Sequence, residues 1–400
     1  STVQDSSRPG VGRANSVNLL RDSTSKSLAN ALLLKEEGNT KFNRGAHREA
    51  RDLYTKALQG VSGYHPTFPQ EKQTIATIYC NRGAAYLKDK DYAKCVKDCN
   101  EAIQILPDFI KAYTRKWRAL MGLGRIDEAI DLLALAIEKM PGEESFQEDM
   151  QKTQEVEDKV QQIKYLLKNR KYGEAKDNAD TLLRQIETPA SLLLVAEADA
   201  CHGIVPQSLE KCNIVLKNKP KSSKGLVTKA FVTLMDGDPD SAVLFIKEAL
   251  KIDPDYGEGK ILLRACRKIQ REISEGRTCM SRNRMENSNS NSILKKALEH
   301  FTIALDDDNI PSKTPLHSQL RVERAEVGVQ LRKFQGALSD AHVALQSNPQ
   351  NVRAWVVKSQ ALIGLGRAKD AREELKQIKA TWGKNKSQIK DAYSKVDFEV

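Results

Sequence analysis

The sequence predicts an all-α solenoid, a fold in which consecutive helix pairs stack in a row. Prolines recur 34 residues apart, from Pro107 to Pro141 (141 − 107 = 34) and from Pro220 to Pro254 (254 − 220 = 34). Alanines precede three of these prolines at fixed offsets: Ala102, Ala129, Ala136, Ala242 and Ala249. A fixed period of this length is typical of a helix–turn–helix repeat that contacts mainly its neighbours. Charged residues make up 29% of the chain, which suits the large surface of such an array.

A 34-residue period with small residues at set places is the signature of the tetratricopeptide repeat (TPR). We number each repeat so that the proline is position 32 and the small residue of the first helix is position 8. Small residues at positions 8, 20 and 27 let the two helices of a repeat approach closely, and larger residues at positions 4, 7, 11 and 24 fill the remaining space. This numbering assigns about nine repeats, which fall into three groups of three.

The first group occupies residues 27–143 and follows a lead-in, residues 1–26, that is predicted to be disordered. Its three repeats begin near Ala31, Ala76 and Ile110. We expect the first helices of these repeats to line one groove.

The second group occupies residues 144–255. The charged segment that opens it contains neither glycine nor proline after Gly142, so we expect it to continue as a helix into the fourth repeat, near Val156. The fifth and sixth repeats begin near Pro189 and Ser223.

The third group occupies residues 256–400. In its first repeat, Gly276 takes position 8 and Ala297 takes position 20, but they are 21 residues apart (297 − 276 = 21) where the period requires 12. A nine-residue insertion is therefore predicted in the polar run near 281–292, where we expect a loop without regular structure.

The last two repeats begin near Ser318 and Val352. The sequence from Thr381 onward is basic and is predicted to form a helix that caps the final hydrophobic face.

The charge balance does not indicate nucleic acid as a partner. Lys and Arg total 64 against 53 Asp and Glu, a formal charge of +11, but the two signs are mixed throughout. An acidic peptide fits this charge at least as well. No apolar run approaches the roughly 18–20 residues of a membrane span, and no apolar signal-peptide core stands near the first residue. We expect a location in the cytoplasm, with the nucleus as an additional one.

Seven cysteines occur in the chain, and we expect them to be reduced packing residues. Cys95 and Cys99 stand at positions 20 and 24, where a small or medium side chain packs. No Cys or His pair follows them at zinc-ligand spacing, and the six histidines are scattered. No phosphate-binding glycine loop or nucleophile–base set is found either. We therefore predict no metal, no cofactor and no enzymatic activity in these residues.

Five positions on the first helices of group one carry side chains that donate hydrogen bonds. Lys35 and Asn39 are four residues apart on one helix, Asn81 is at position 6 of the second repeat, and Lys111 and Arg115 are four apart in the third. Together they offer three positive charges and two amides to a concentrated negative ligand. Two adjacent carboxylates, such as a chain terminus and its own aspartate, would suit this set.

The same positions differ in the other two groups. Group two has Val160, Lys164, Leu194, Lys224 and Thr228. Group three has Ile273, Arg277, Glu323, Arg353 and Val357. Glu323 is expected to repel an acidic ligand, so one site is predicted rather than two or three. Val160 and Leu194 leave two interpretations open, a hydrophobic surface for a client protein or ordinary buried packing.

The segments LLLKEEGNTKF, YCNRGAAYLK and FIKAYTRKWRAL resemble the three first helices of a TPR carboxylate clamp. All five clamp positions of that family match: Lys35, Asn39, Asn81, Lys111 and Arg115. The resemblance implies binding to the acidic carboxyl-terminal EEVD tail of heat-shock protein 70, heat-shock protein 90 or both. It also implies a non-enzymatic co-chaperone adaptor whose remaining repeats bind a client or a second partner. A general scaffold that recruits chaperones to another assembly is the alternative.

The arrangement of nine repeats resembles the TPR array of co-chaperones of the cytosolic DnaJ homolog subfamily C member 7 type. In that family a J domain follows the last repeat, but the tripeptide His-Pro-Asp does not occur in these 400 residues. We therefore expect no J domain within them. The co-chaperone Hop also has nine repeats in three groups, but its Asp-Pro-rich modules are not found in this sequence.

Overall fold

A computed structural model describes residues 11–63, 66–285, 291–307 and 310–381 of the chain. Within these ranges it contains eighteen α-helices and no strand. The helices follow one another as nine pairs, and each pair corresponds to one predicted repeat. The fold class predicted from the sequence, an all-α TPR array, is confirmed. No helix in the described ranges is long and apolar enough to cross a membrane.

The first nine helices are α1 Val11–Asn43, α2 His47–Gly60, α3 Pro69–Lys88, α4 Tyr92–Ile105, α5 Ile110–Leu123, α6 Ile126–Lys139, α7 Glu144–Lys168, α8 Tyr172–Gln185 and α9 Pro189–Cys201. The other nine are α10 Val205–Asn218, α11 Ser223–Asp236, α12 Pro239–Ile252, α13 Gly257–Met285, α14 Asn291–Leu305, α15 Pro315–Gln330, α16 Phe334–Ser347, α17 Val352–Gly364 and α18 Ala368–Thr381.

Helix α1 is longer at its start than predicted. It begins at Val11, whereas the sequence predicts a disordered lead-in through residue 26. No glycine or proline occurs between Gly12 and Gly38, so nothing in the backbone chemistry interrupts a helix that has been nucleated by the packed first repeat. The first ten residues of the lead-in lie outside the described part.

Close packing of small residues holds each helix pair together. A Cβ atom added to Gly38 would stand 2.6 Å from Cε1 of Tyr54, and one added to Gly276 would stand 2.9 Å from Phe301. The alanines predicted at positions 20 and 27 are fully buried or nearly so, among them Ala50, Ala57, Ala175, Ala242, Ala249, Ala337 and Ala344. The repeat register therefore identifies the helix contacts correctly.

Gly38→Ala is expected to destabilise the chain by about 1–3 kcal/mol, because the added methyl group overpacks against the Tyr54 ring. Urea unfolding measures this loss. Gly60→Ala is the matched control, since a Cβ there meets nothing within 4 Å, and no destabilisation is expected for it. Equal stability of the two variants would contradict the packing account.

The predicted insertion in repeat seven is helical over most of its length. Helix α13 extends to Met285 and α14 begins at Asn291, so the prediction of a loop over 281–292 is wrong except for residues 286–290, which lie outside the described part. Met280 is buried in the hydrophobic core, and no glycine or proline follows Gly276 before Met285. These two facts explain why the helix continues. The predicted capping helix after Thr381 also lies outside the described residues.

The chain divides into two compact units. The first comprises residues 1–158 with 186–190, and the second comprises 159–185 with 191–400. One hydrophobic core in the second unit includes Ile246, Cys266 and Ile269, which lie on both sides of the boundary predicted at residue 255. Groups two and three therefore share a core across this predicted boundary, because α12 packs directly on α13.

Candidate peptide-binding site

The five predicted donor residues lie on three neighbouring helices of the first compact unit. Lys35 and Asn39 are on α1, Asn81 is on α3, and Lys111 and Arg115 are on α5. Helix α3 contacts both α1 and α5. The first helices of the three repeats therefore stand side by side, as the repeat register requires.

Hydrogen bonds join three of the five residues directly. Asn81 Nδ2 donates to Asn39 Oδ1 at 2.9 Å, and Arg115 Nη1 donates to Asn81 Oδ1 at 3.2 Å. Because these contacts connect residues 42 and 34 positions apart in the sequence, they fix the three helices in register. The donors are thus held in place before any ligand binds, which lowers the entropic cost of binding.

Tyr54 sets the orientation of the Asn39 amide. Its hydroxyl donates to Asn39 Oδ1 at 2.8 Å, so this oxygen accepts from both Tyr54 and Asn81, and the Nδ2 group is left to donate elsewhere. Burial raises the pKa of Tyr54 to about 12, so its hydroxyl remains protonated and able to donate at neutral pH. Tyr54 stands at position 24, which the repeat register assigns to packing, so the sequence does not reveal this polar role.

Arg115 is anchored through one of its two terminal nitrogens. Nη1 donates to the backbone oxygen of Cys80 at 2.7 Å and lies 2.9 Å from the Cys80 sulfur. Burial raises the pKa of the Cys80 thiol, and Arg115 partly opposes that effect. Within the described residues, Nε and Nη2 of Arg115 make no hydrogen bond. These two groups form the edge of the guanidinium that can bind a carboxylate through two parallel bonds.

Glu36 interacts with the two donor residues of α1, Lys35 and Asn39. Its carboxylate lies 2.9 Å from Lys35 Nζ and accepts a hydrogen bond from Asn39 Nδ2 at 3.1 Å. The hydrogen bonds from Lys35 and Asn39 lower the pKa of Glu36. The side chain of Glu36 is 66% exposed, so it is free to leave. The repeat register does not reveal Glu36, because it is not at one of the five donor positions.

Lys111 is exposed and lies one helical turn before Arg115. It is near enough to Cys80 to affect the pKa of that thiol slightly, which places its charge beside the Arg115 anchor. Within the described ranges it is not joined to the other four residues by a hydrogen bond.

The corresponding residues of group three are paired with each other. Arg277 Nη2 lies 2.7 Å from Glu323 Oε1, and Arg277 Nε donates to the same carboxylate at 3.2 Å. The prediction that Glu323 presents a repulsive charge is wrong, because the carboxylate is buried and bound by Arg277. Arg353 in turn donates to Glu326 at 2.7 Å. Both arginines of this group are thus bound by the chain's own glutamates.

The corresponding residues of group two line a cavity of about 430 Å³ in the second compact unit. Lys164, Leu194, Lys224 and Thr228 all contribute to its wall. Val160 and Leu194 are both partly exposed, so full burial in the core does not account for either residue.

The structure places one of the scattered histidines beside two glutamates. His300 Nδ1 lies 2.8 Å from Glu272 and 3.4 Å from Glu275, and the three side chains form a cluster with possible metal-ligating atoms. Spacing along the sequence does not reveal this cluster because α13 and α14 supply its members separately. Glu272 also accepts from Arg271, so hydrogen bonding and ion pairing account for the arrangement.

All seven cysteines are free thiols, and all except Cys279 are buried. The burial expected of packing residues is confirmed for the other six. Cys95 and Cys99 lie 3.9 Å apart, sulfur to sulfur, on one face of α4.

Family models and the arrangement of helix pairs define the class of this protein. Models of the tetratricopeptide repeat match residues 76–109 and 329–396. The TPR domain of P58(IPK) has a similar fold, with a TM-score of 0.51, 16% sequence identity, and coverage of 92% of this chain and 98% of that one. The chain therefore contains tetratricopeptide repeats and has the corresponding solenoid fold.

Two relatives extend this similarity along most of the chain. The DnaJ homolog subfamily C member 7 homologs of Dictyostelium discoideum and Schizosaccharomyces pombe are each 25% identical to it over 82% of its length. The chain is therefore homologous to proteins of the DnaJ homolog subfamily C member 7 type. It spans 57% and 58% of the length of these two relatives.

Proposed function

We propose that this chain is a non-enzymatic co-chaperone adaptor whose first three repeats bind the acidic EEVD tail of heat-shock protein 70 or heat-shock protein 90. The observation that carries this proposal is the hydrogen-bonded series Tyr54–Asn39–Asn81–Arg115. It holds donors from three helices in fixed positions, with Lys35 and Lys111 beside them. Homology to DnaJ homolog subfamily C member 7 proteins supports a chaperone-related role.

The two carboxylates of a terminal aspartate match the two parts of this site. One carboxylate binds the free edge of Arg115, next to Lys111. The other replaces Glu36 at Lys35 and Asn39. Hydrogen bonds to charged groups contribute about 1.5–3 kcal/mol each, and desolvation and peptide ordering offset part of this sum. The expected dissociation constant is therefore on the order of micromolar. The remaining repeats bind a second protein.

Calorimetry with a short peptide that ends in EEVD tests the proposal. Binding is expected to weaken as salt increases, because the interacting charges are partly exposed. The same peptide with an amidated carboxyl terminus lacks one of the two charges at its end and is expected to bind at least tenfold more weakly. Equal affinity for the two peptides would mean that the site does not recognise a chain terminus.

Glu36→Gln is expected to tighten binding of the EEVD peptide by about threefold to tenfold, which corresponds to roughly 0.6–1.4 kcal/mol. The substitution removes the internal carboxylate that the ligand must displace. Glu37→Gln is the matched control, because Glu37 is an exposed neighbour with the same charge and forms no hydrogen bond or ion pair with Lys35 or Asn39 within the described residues. If both variants gained affinity equally, net charge alone would explain the effect.

A further inference from the structure

The cavity of group two uses the same helix faces as the carboxylate site of group one. Its wall contains four residues from three successive repeats: one at position 9 of the first repeat, one at position 6 of the second, and two at positions 2 and 6 of the third. In group one these four positions hold Asn39, Asn81, Lys111 and Arg115. In group two these positions hold Lys164, Leu194, Lys224 and Thr228. Group two therefore has a groove on the same helix faces as group one, but different side chains line it.

The main difference is a carboxylate inside the cavity. Glu197 lies one turn after Leu194 on α9 and forms part of the wall. Within the described residues its carboxylate makes no hydrogen bond or ion pair. Burial raises its pKa, the nearby Glu258 raises it further, and Lys224 and Lys164 act in the opposite direction. A shielded carboxylate without a donor is unfavourable, so a ligand that supplies a donor binds favourably there.

Glu197 is surrounded by apolar side chains of the wall and by exposed charged side chains. The exposed charged side chains of the lining are three lysines and one glutamate, Lys164, Lys168, Lys224 and Glu258, whereas Leu193, Leu194 and Phe231 supply apolar surface beside Glu197. A side chain with an apolar stem and a cationic end fits this order, since its stem contacts the apolar wall while its end reaches the carboxylate. The three lysines outnumber Glu258 among the exposed side chains, so they favour acidic groups on either side of that side chain.

We propose that this cavity binds an extended peptide segment in which one lysine or arginine side chain reaches Glu197 and flanking acidic residues contact Lys164 and Lys224. A cavity of about 430 Å³ is within the usual range for a specific ligand site. The proposal goes beyond binding of chaperone tails and is independent of it, because every residue it uses lies in the second compact unit. The two sites would then select peptide side chains of opposite charge.

Two peptides labelled with fluorescein test the proposal on the full chain by fluorescence anisotropy. One has the sequence Asp-Leu-Lys-Leu-Glu, and in the other norleucine replaces lysine, which keeps the stem and removes the charge. The wild-type chain is expected to bind the lysine peptide at least fivefold more tightly. Glu197→Gln is expected to abolish this preference and to leave binding of an EEVD peptide unchanged.

Lys224→Ala provides the second variant. It is expected to weaken both labelled peptides by a similar factor, because it removes a contact to their acidic ends and leaves Glu197 in place. The proposal is wrong if neither peptide binds the wild-type chain, or if the preference for lysine persists in Glu197→Gln. Thermal unfolding of each variant shows that the comparison is made between folded chains.

Discussion

Replacing both Lys111 and Arg115 with alanine is expected to weaken binding of an EEVD peptide by about 100-fold or more. Two charge-assisted contacts of about 1.5–3 kcal/mol each would be lost, and a factor of 100 corresponds to about 2.7 kcal/mol. Arg115 is expected to account for more of this loss than Lys111, because its free edge can bind a carboxylate through two bonds and its position is fixed by Cys80 and Asn81. Calorimetry with the EEVD peptide measures the loss.

Two further variants separate recognition from loss of structure. Arg118→Ala removes the same charge from an exposed position of the same helix and is expected to reduce affinity less than threefold. Arg115→Lys keeps the positive charge but cannot bind a carboxylate through two parallel hydrogen bonds. About a tenfold loss of affinity for the peptide is therefore expected. An affinity for the double alanine variant equal to that of the wild type, with the fold intact, would refute the carboxylate site.

Asp98→Ala is expected to destabilise the chain by about 3–5 kcal/mol, because it leaves a partly buried arginine without its partner. Arg82 donates to Asp98 through Nε at 2.8 Å and Nη2 at 2.7 Å, and the side chain of Asp98 is only 5% exposed. Arg82 is adjacent to Asn81 on α3. Loss of Asp98 is therefore expected to weaken peptide binding as well. Urea unfolding and calorimetry measure the two effects.

A second pair in the chain provides the control. Arg324 and Asp340 have the same separation of 16 residues as Arg82 and Asp98 and bind through the same atoms, at 2.8 and 2.7 Å. Asp340→Ala is expected to destabilise the second compact unit and to leave binding of the EEVD peptide unchanged. If Asp340→Ala weakened that binding as much as Asp98→Ala does, the effect of Asp98 would not be specific to the unit that carries the site.

The repeat register could be predicted from the sequence because its cause is local and periodic. Ala50 and Ala57 had to be small for two helices to approach, and the same requirement recurs in every repeat, so the period identifies both the helix contacts and the face that lines the groove. Asn39 and Asn81 were found to be neighbours in this way, although 42 residues separate them.

The electrostatic pairing within the grooves could not be predicted in the same way. Glu323 was interpreted as a repulsive charge, but Arg277, which is 46 residues earlier, binds it in the structure. Glu36 was overlooked although it stands next to Lys35. A register specifies which side chains share a face, whereas pairing depends on the rotamers and distances that packing selects. The shared core of groups two and three also follows from packing rather than from the period, because it joins Ile246 on one side of Pro254 to Cys266 on the other.

The hydroxyl of Tyr54 has a consequence for how such recognition surfaces diverge. The residue at the same position is Ala179 in the fourth repeat and Phe301 in the seventh, and Asn39 is correspondingly replaced by Lys164 and Arg277. The buried phenol of Tyr54 and the groove amide of Asn39 thus occur together or not at all among these three repeats. Without the phenol, the amide oxygen loses one of its two donors, and without the amide, the buried hydroxyl loses its acceptor. In these repeats, a different residue on the groove face therefore accompanies a different residue in the protein interior.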